Sequence, residues 1–393
     1  MDPVLIQPTN AAEVAAALRR AADARQSIVI RGADTKREWG RPSARVDAIL
    51  DMRRMNRILA HEHGDMTATV EAGASLREVN AALAIHGQTL PLDPPFADRA
   101  TIGGLLATND SGPLRHRYGT PRDLVIGIQL ATTDGVLSKA GGQVVKNVAG
   151  YDLSKLVTGS FGSLAAIVSA TFKLAPLPAA SKTMRIGVRD ADALADVVRT
   201  VMASQLEPIA FEVHLDVAQA FRPAMLLRFG SLAEVVDAQT AQTTAALKGC
   251  ATSVDLIDGD AERALWRAHA TEIWDRPGAI VRASWLPADI AATHAALKGC
   301  ATGVDVANIE LVGRAAVGAG HIRIEGDAAA QAAAVEQLRA WQVFGNVVVV
   351  RGSAELKALV DVWGSHGDRQ PLFDSLKRAF DPNGVLNAGR GPL

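Results

Sequence analysis

TIGGLLATNDSG at residues 101–112 and GGQVVKNVAGYDL at 141–153 are the two stretches whose reading decides this fold. Both place glycine and small residues where a Cβ would stop a backbone from coming close to something else. A third segment, RGADTK at 31–36, runs directly out of the strand-like SIVIR at 27–31, and Gly159–Ala166 stands behind the second. One glycine turn alone says little. Three in one region suit a ligand with a pyrophosphate, which backbone N–H groups can cradle. No G-x-G-x-x-G opens a helix near the N-terminus, so the nicotinamide-binding signature is missing.

Outward from these segments the chain reads as small α/β units. Residues 10–25 predict a helix with Asn10 as N-cap and Val14 and Leu18 on its apolar stripe. Strands are predicted at Ser27–Arg31, Arg45–Asp51 and Thr67–Glu71, and a capped helix at Ser75–His86 with Leu76, Val79 and Leu83 inward. Between Pro91 and Gly162 lies a strand pair, Leu124–Thr132 and Val136–Ser138, turned by Thr133-Asp134-Gly135. A strand at Ala165–Leu174 precedes APLPAA at 175–180, which reads as a linker. Residues 183–352 alternate strands with alanine-rich helices. The tail predicts a helix at Pro371–Phe380 followed by FDPNGVLNAGRGPL, a turn-rich ending that needs another surface.

The expected class is α+β. A domain is expected over residues 1–180, in lobes of about 1–55 and 56–180. A second α+β domain follows over 181–355, and 356–393 returns to the first. At 393 residues the chain is too long for one ordinary core. Within the second domain, AALKGCATSVD at 245–255 is echoed by AALKGCATGVD at 295–305, one difference at an offset of 50. The plain reading is two copies of one unit, each a helix ending in Leu-Lys, a glycine C-cap at Gly249 or Gly299, then a strand. A paired-cysteine site at Cys250 and Cys300 is the alternative.

Composition excludes several classes. A net charge of −1 argues against a nucleic-acid partner, and the triplet Arg115-His116-Arg117 reads as a solvated loop. Two cysteines cannot make a disulfide framework. The N-terminus lacks the apolar core of a secretory signal, and no stretch reaches the ~18 apolar residues of a membrane span. The expected location is therefore cytoplasmic, with peripheral attachment at the inner membrane through a partner left open. His61 and His63 flank a glutamate but read as an exposed loop, and no metal site is expected. Trp266, Trp274 and Trp285 are expected in the core of the second domain.

The ordered set of motifs resembles the FAD-binding half of the vanillyl-alcohol oxidase superfamily, the PCMH-type FAD domain. Within it, TIGGLLATNDSGPLRHRYGTPRDLVIG, GGQVVKNVAGYDLSKL and the terminal FDPNGVLNAGR are similar to the FAD-binding component of bacterial glycolate oxidase. The likeness spans 1–180 and 373–391. It implies that Arg31, Gly32, Ala33, Asp34, Thr35 and Lys36 form the first pyrophosphate loop. Pro95, Thr101, Ile102, Gly103, Gly104, Ala107, Asn109 and Gly112 would wrap the rest of the dinucleotide, with Asp123 bracing that loop. Gly142, Lys146, Asn147, Gly150, Tyr151 and Asp152 would close around the cofactor. Gly162 through Ile167 would meet the adenine end, and Asn387 the flavin ring. The family loop usually reads Arg-Gly-Gly-Gly-Thr-Ser, whereas this chain has Ala33 and Asp34, whose carboxylate repels a pyrophosphate unless Lys36 or Arg37 compensates. Phe161 stands where many relatives carry glutamate. Relatives that attach flavin covalently use a histidine in the first loop; none lies between Arg31 and Trp39, so the FAD is expected to be non-covalent.

The activity implied is oxidation of glycolate or a related 2-hydroxy acid by hydride transfer to flavin, which needs a base and an arginine for the carboxylate. The late His-x-Gly-Asp-Gly-Asn-x-His stretch of catalytic flavin subunits is reduced here to VGAGHIRIE at 317–325. His321 and Arg323, on one face of a strand, are the best available pair. The competing reading is an accessory flavin or electron-relay subunit without substrate chemistry of its own. Expected partners are a second FAD-containing catalytic subunit and an iron–sulfur subunit, since no cysteine cluster for iron–sulfur ligation is present.

Overall fold

The structure, a computed structural model, describes residues 2–43, 45–142, 151–218 and 223–392. Its first elements are β1 (Val4–Ile6), helix α1 (Ala11–Asp23), β2 (Ile28–Arg31) and β3 (Ala48–Asp51), a parallel sheet in the order β1-β3-β2. α1 begins where Asn10 Oδ1 accepts from the Glu13 N–H at 3.0 Å, and Glu13 Oε2 accepts from the Thr9 N–H at 2.7 Å. One donor that the first turn leaves open and one just before the cap are thus satisfied. Val14 and Leu18 then bury against Ile28 and Leu50.

There follow β4 (Ile58–Glu62), β5 (Thr67–Glu71), α2 (Leu76–Ala84) and β6 (Gln88–Thr89). Next come α3 (Ile102–Thr108), α4 (Arg115–Tyr118), α5 (Pro121–Leu124), β7 (Val125–Ala131) and β8 (Leu137–Gly141). This part closes with α6 (Leu153–Val157), β9 (Ala166–Lys173) and β10 (Ala175–Pro176). Five of these strands form an antiparallel sheet, β4-β5-β9-β7-β8. Its core gathers Val70, Leu83, Leu106, Leu130 and Phe172.

The remaining strands share one eight-stranded antiparallel sheet. Its elements run β11 (Ala180–Gly187), α7 (Ala191–Ala203), β12 (Ala210–Asp216), β13 (Ala224–Ser231), α8 (Ala233–Ala246) and β14 (Ser253–Asp258). After α9 (Gly259–Thr271) the same sequence of elements recurs. The second set is β15 (Ala279–Trp285), α10 (Ile290–Gly303), β16 (Asn308–Arg314), β17 (Ala319–Glu325), α11 (Ala328–Ala340) and β18 (Phe344–Arg351). Each half is a βαββαβ unit of ferredoxin-like order, and β12 pairs with β16 to join them. The chain ends through α12 (Ala354–Leu359) and α13 (Gln370–Phe380).

Two compact units result: Met1–Gly112 with Tyr118–Leu177 and His366–Leu393, and Pro113–Arg117 with Pro178–Ser365. Residues 356–365 fall with the second unit, because α12 packs on α11.

The echo at 245–255 and 295–305 requires a correction. The structural repeat is the βαββαβ half, whose equivalent elements begin 99, 99 and 98 residues apart (Ala180/Ala279, Ala191/Ile290, Ala210/Asn308). The two echoed stretches occupy different places in that repeat, one after the second helix of its half, the other in the first. α8 stops at Ala246; the N–H groups of Cys250 and Ala251 then donate to Leu247 O, and Thr252 N to Gly187 O at 2.8 Å, which draws Ser253 into pairing with β11. α10 instead runs through Gly299 to Gly303, the one position that differs between the copies. Gly299 is no cap: a Cβ there would sit 2.6 Å from the Trp341 ring, so the missing side chain lets that ring lie on the helix. Both cysteines are free and buried, and burial pushes the Cys300 thiol up to about 11.

Candidate functional site

In the first unit the end of β2, the start of α3, the turn before β9 and the C-terminal tail meet around one cleft, whose empty space of about 770 Å3 includes its open mouth. Arg31, Gly32, Ala33, Asp34, Thr35 and Lys36 line it from one side, and Thr101, Gly103, Gly104 and Ala107 from another. Gly162, Ile167 and Asn387 complete the set named from the sequence.

The glycines are there because these segments approach more closely than side chains permit. A Cβ on Gly32 would collide with Thr101 Oγ1, and one on Gly103 would lie 3.0 Å from Ala72 Cβ and 3.1 Å from Ala72 O. Gly162 has φ +69, and a Cβ there would meet Asn387 Nδ2 at 2.6 Å. Three cleft residues that are not glycine, Asp34, Phe161 and Asn387, also have positive φ (58, 57 and 42). Such backbone is costly, and it gathers where a site is shaped for a ligand.

Charge in the cleft is only partly matched. Arg31 Nη2 reaches Asp51 at 3.0 Å and Nη1 lies 3.7 Å from Asp34, yet its buried Nε has no hydrogen-bond partner. The charge of Asp34 is thus offset by Arg31, where the sequence had pointed to Lys36 or Arg37. Burial acts to raise the Asp51 pKa, but hydrogen bonds from Arg53 and Arg31 outweigh it and hold the group well below the usual carboxylate range. Lys36 Nζ and Asp110 Oδ2, both buried, stand 3.1 Å apart as an ion pair, and beyond this contact neither atom has a hydrogen-bond partner. A buried ammonium with its donors unspent suits an anionic ligand. Close-approach glycines and cations with spare donors are together what a pyrophosphate requires, so the residues present fit FAD.

The tail builds one wall. Ile28 N donates to Val385 O and Asn387 N to Ile28 O, at 2.9 and 3.0 Å. Asn387 Oδ1 accepts from Ile30 N at 3.0 Å, and its Nδ2 donates to Phe161 O at 2.6 Å. Arg390 Nη2 donates to the carbonyls of Lys36 and Arg37 at 2.6 and 2.9 Å. Burial pulls the Arg390 pKa down, and the nearby Asp34 charge opposes this. Sequence reasoning missed Arg390 and also Ile30, Met52, Ala72 and Thr108 as cleft residues. The only local trace of Arg390 was its place in the tail motif.

Other residues named from the sequence lie outside the cleft lining, and each has another task. Ile102 is core, and Pro95 is buried. Asn109 ends α3 with φ 47 and accepts from Arg122 N. Gly112 sits where a Cβ would strike Asp93 O. Asp123 closes a capping box on α5 with Thr120. Gly142 N donates to Ile126 O at 3.2 Å. Asp152 caps α6 through Lys155 N, and Tyr151 is exposed. Lys146, Asn147 and Gly150 lie outside the described residues.

His321 and Arg323 belong to the second unit, side by side on one buried face of β17. Arg323 is 2 % exposed, with Nε on Glu310 at 3.0 Å and Nη1 on Glu325 and Pro277 O, each at 2.9 Å. Burial acts to raise the Glu310 pKa, but hydrogen bonds from His214, Arg323 and Arg276 bring it down to about 2. The arginine is therefore part of an ion-pair lattice across β16 and β17. His321 packs edge-on against Trp274, with 5.1 Å between ring centroids.

Residues 3–141 match the family described as FAD binding domain. The chain is 33% identical over 212 residues to a glycolate oxidase subunit GlcD of Bacillus subtilis, covering 54% of this chain and 45% of that protein. It is 36% identical over 183 residues to a glycolate oxidase subunit GlcE of Escherichia coli, covering 46% and 51%. A D-lactate dehydrogenase of Archaeoglobus fulgidus is 34% identical over 173 residues, covering 44% and 39%. The chain thus spans about half the length of the first curated relatives it matches, or less. A solved alkyldihydroxyacetonephosphate synthase superposes with TM-score 0.71 at 16% identity, covering 98% of this chain and 75% of that one, a likeness of fold. The chain carries an FAD-binding domain, and FAD is its cofactor. Among the described residues no helix is long and apolar enough to cross a membrane.

Proposed function

We propose that this chain is the FAD-binding subunit of a glycolate oxidase-type assembly that oxidises glycolate or a related 2-hydroxy acid to the 2-oxo acid. The observation that carries the reading is the cleft, where Arg31 and Lys36 hold unspent buried donors beside close-approach glycines. The chemistry in the names of the relatives, glycolate and D-lactate, supports the substrate class. Bound FAD supplies a two-electron acceptor. Arg31 and Lys36 neutralise the pyrophosphate, Gly32, Gly103 and Gly104 let the backbone approach it, and the 161–167 turn with Asn387 shapes the opposite wall. The FAD is held non-covalently, and the partners are a second FAD-containing catalytic subunit and an iron–sulfur subunit. The complex works in the cytoplasm or at the inner membrane surface.

A second reading, an accessory flavin subunit that relays electrons, is favoured by one observation: Nε and Nη1 of Arg323 are held by Glu310, Glu325 and Pro277 O. The purified chain separates the two when glycolate and then D-lactate are added anaerobically. Bleaching of the flavin band places oxidation on this subunit, a stable yellow assigns it to a partner, and a colourless chain overturns the flavin seat. Acid precipitation should release all colour into the supernatant; colour retained in the pellet would show a covalent bond.

A further inference from the structure

Far along the five-stranded sheet from its glycine turns, the fold assembles three imidazoles that the sequence keeps apart. His61 lies on β4, His63 in the turn that follows, and His86 just beyond α2. Their ring centroids are 4.9 Å (His63–His86), 5.1 Å (His61–His86) and 6.2 Å (His61–His63) apart. Three imidazoles binding one tetrahedral ion through nitrogens at ~2.1 Å have centroids about 5 Å apart. The triangle therefore already has the size of a three-histidine site.

His63 and His86 lie face to face, 12° between planes, so their nitrogens do not converge as placed. Rotation about each Cβ–Cγ bond swings the nitrogens while leaving the ring centroid almost where it is. Both side chains are exposed and free to make that turn.

His61 is held in the state a ligand needs. Gln88, buried on β6, donates from Nε2 to His63 O at 2.7 Å, which fixes its amide orientation. Its Oε1 then faces His61 Nε2 at 2.8 Å, so Nε2–H donates there and the neutral ring keeps Nδ1 as its lone pair. A ligating histidine that gives its other N–H to a fixed acceptor is the usual arrangement around a bound metal.

We propose that His61, His63 and His86 form a site for one borderline divalent transition-metal ion, Zn2+ in type, with His61 oriented by Gln88 and water completing the shell. Imidazole donors select against Mg2+ and Ca2+, which take oxygen ligands. The ion would tie the β4–β5 turn to the end of α2.

The test is a Co2+ titration of the FAD-loaded, tag-free chain, followed in the visible d–d bands and then displaced by Zn2+. One ion per chain is expected, unaffected by excess Mg2+. His63→Ala and His86→Ala should each weaken binding at least ~10-fold, and Gln88→Met about 10-fold, with the flavin spectrum unchanged. No saturable binding, or a site that survives in the His63→Ala/His86→Ala double variant, overturns the proposal.

Discussion

Lys36 and Asp110 in the first unit, and Arg323 and Glu310 in the second, are both buried ion pairs, 3.1 and 3.0 Å apart. They are built differently. Beyond their own contact neither Lys36 Nζ nor Asp110 Oδ2 has a hydrogen-bond partner, and both sit on or beside the cleft. Arg323 spends its donors on two carboxylates and a carbonyl, and Glu310 also takes His214 and Arg276. A saturated network stabilises only itself, whereas an unsaturated one is waiting for something. The difference separates a scaffold from a binding site where residue types alone do not.

The largest effect should come from Arg323→Met. It leaves the buried Glu310 without one of its three partners and should lower unfolding stability by about 3 kcal/mol in urea melts. A loss under about 1 kcal/mol would show that the lattice is dispensable and break the contrast. The second effect is acid sensitivity. Glu310 titrates near 4.5 when unfolded and at about 2 when folded, so its contribution is complete above about pH 4.5. It is lost as pH falls through about 2, on the order of 3 kcal/mol in all. Stability measured across that window should fall less steeply in Arg323→Met than in the parent.

The smallest effect concerns the cleft. Lys36→Met/Asp110→Asn removes both charges together, so the apo chain should melt near the parent temperature, as replaced buried pairs often do. FAD binding should weaken by about 10- to 100-fold, the worth of one charged hydrogen bond of about 1.5–3 kcal/mol. Unchanged FAD affinity would remove Lys36 from the site.

Much of the frame was legible because its signals are local. Asn10 capping α1, Ser75 capping α2 and the turn at Thr133-Asp134-Gly135 depend on residues within a few positions of one another. The echo at 245 and 295 misled for the complementary reason. Nearly the same residues stop a helix in one place and continue it in the other, because pairing of Ser253 with Gly187 captures the first copy and Trp341 packs on the second. His86 joined His61 and His63 only when the chain beyond α2 met the turn after β4, and Arg390 reached the carbonyls of Lys36 and Arg37 across 350 positions or more.

By itself the sequence pointed to a flavin seat: close backbone approach admits few residue types, and the glycines at 32, 103, 104 and 162 stand in motifs whose order resembles an FAD-binding domain. Only the tertiary structure decided which cations in the chain are spent and which are free to act. An arginine beside two carboxylates and a lysine with unspent donors are the same kind of letter in a sequence, and what distinguishes them is strand register and the return of a distant tail.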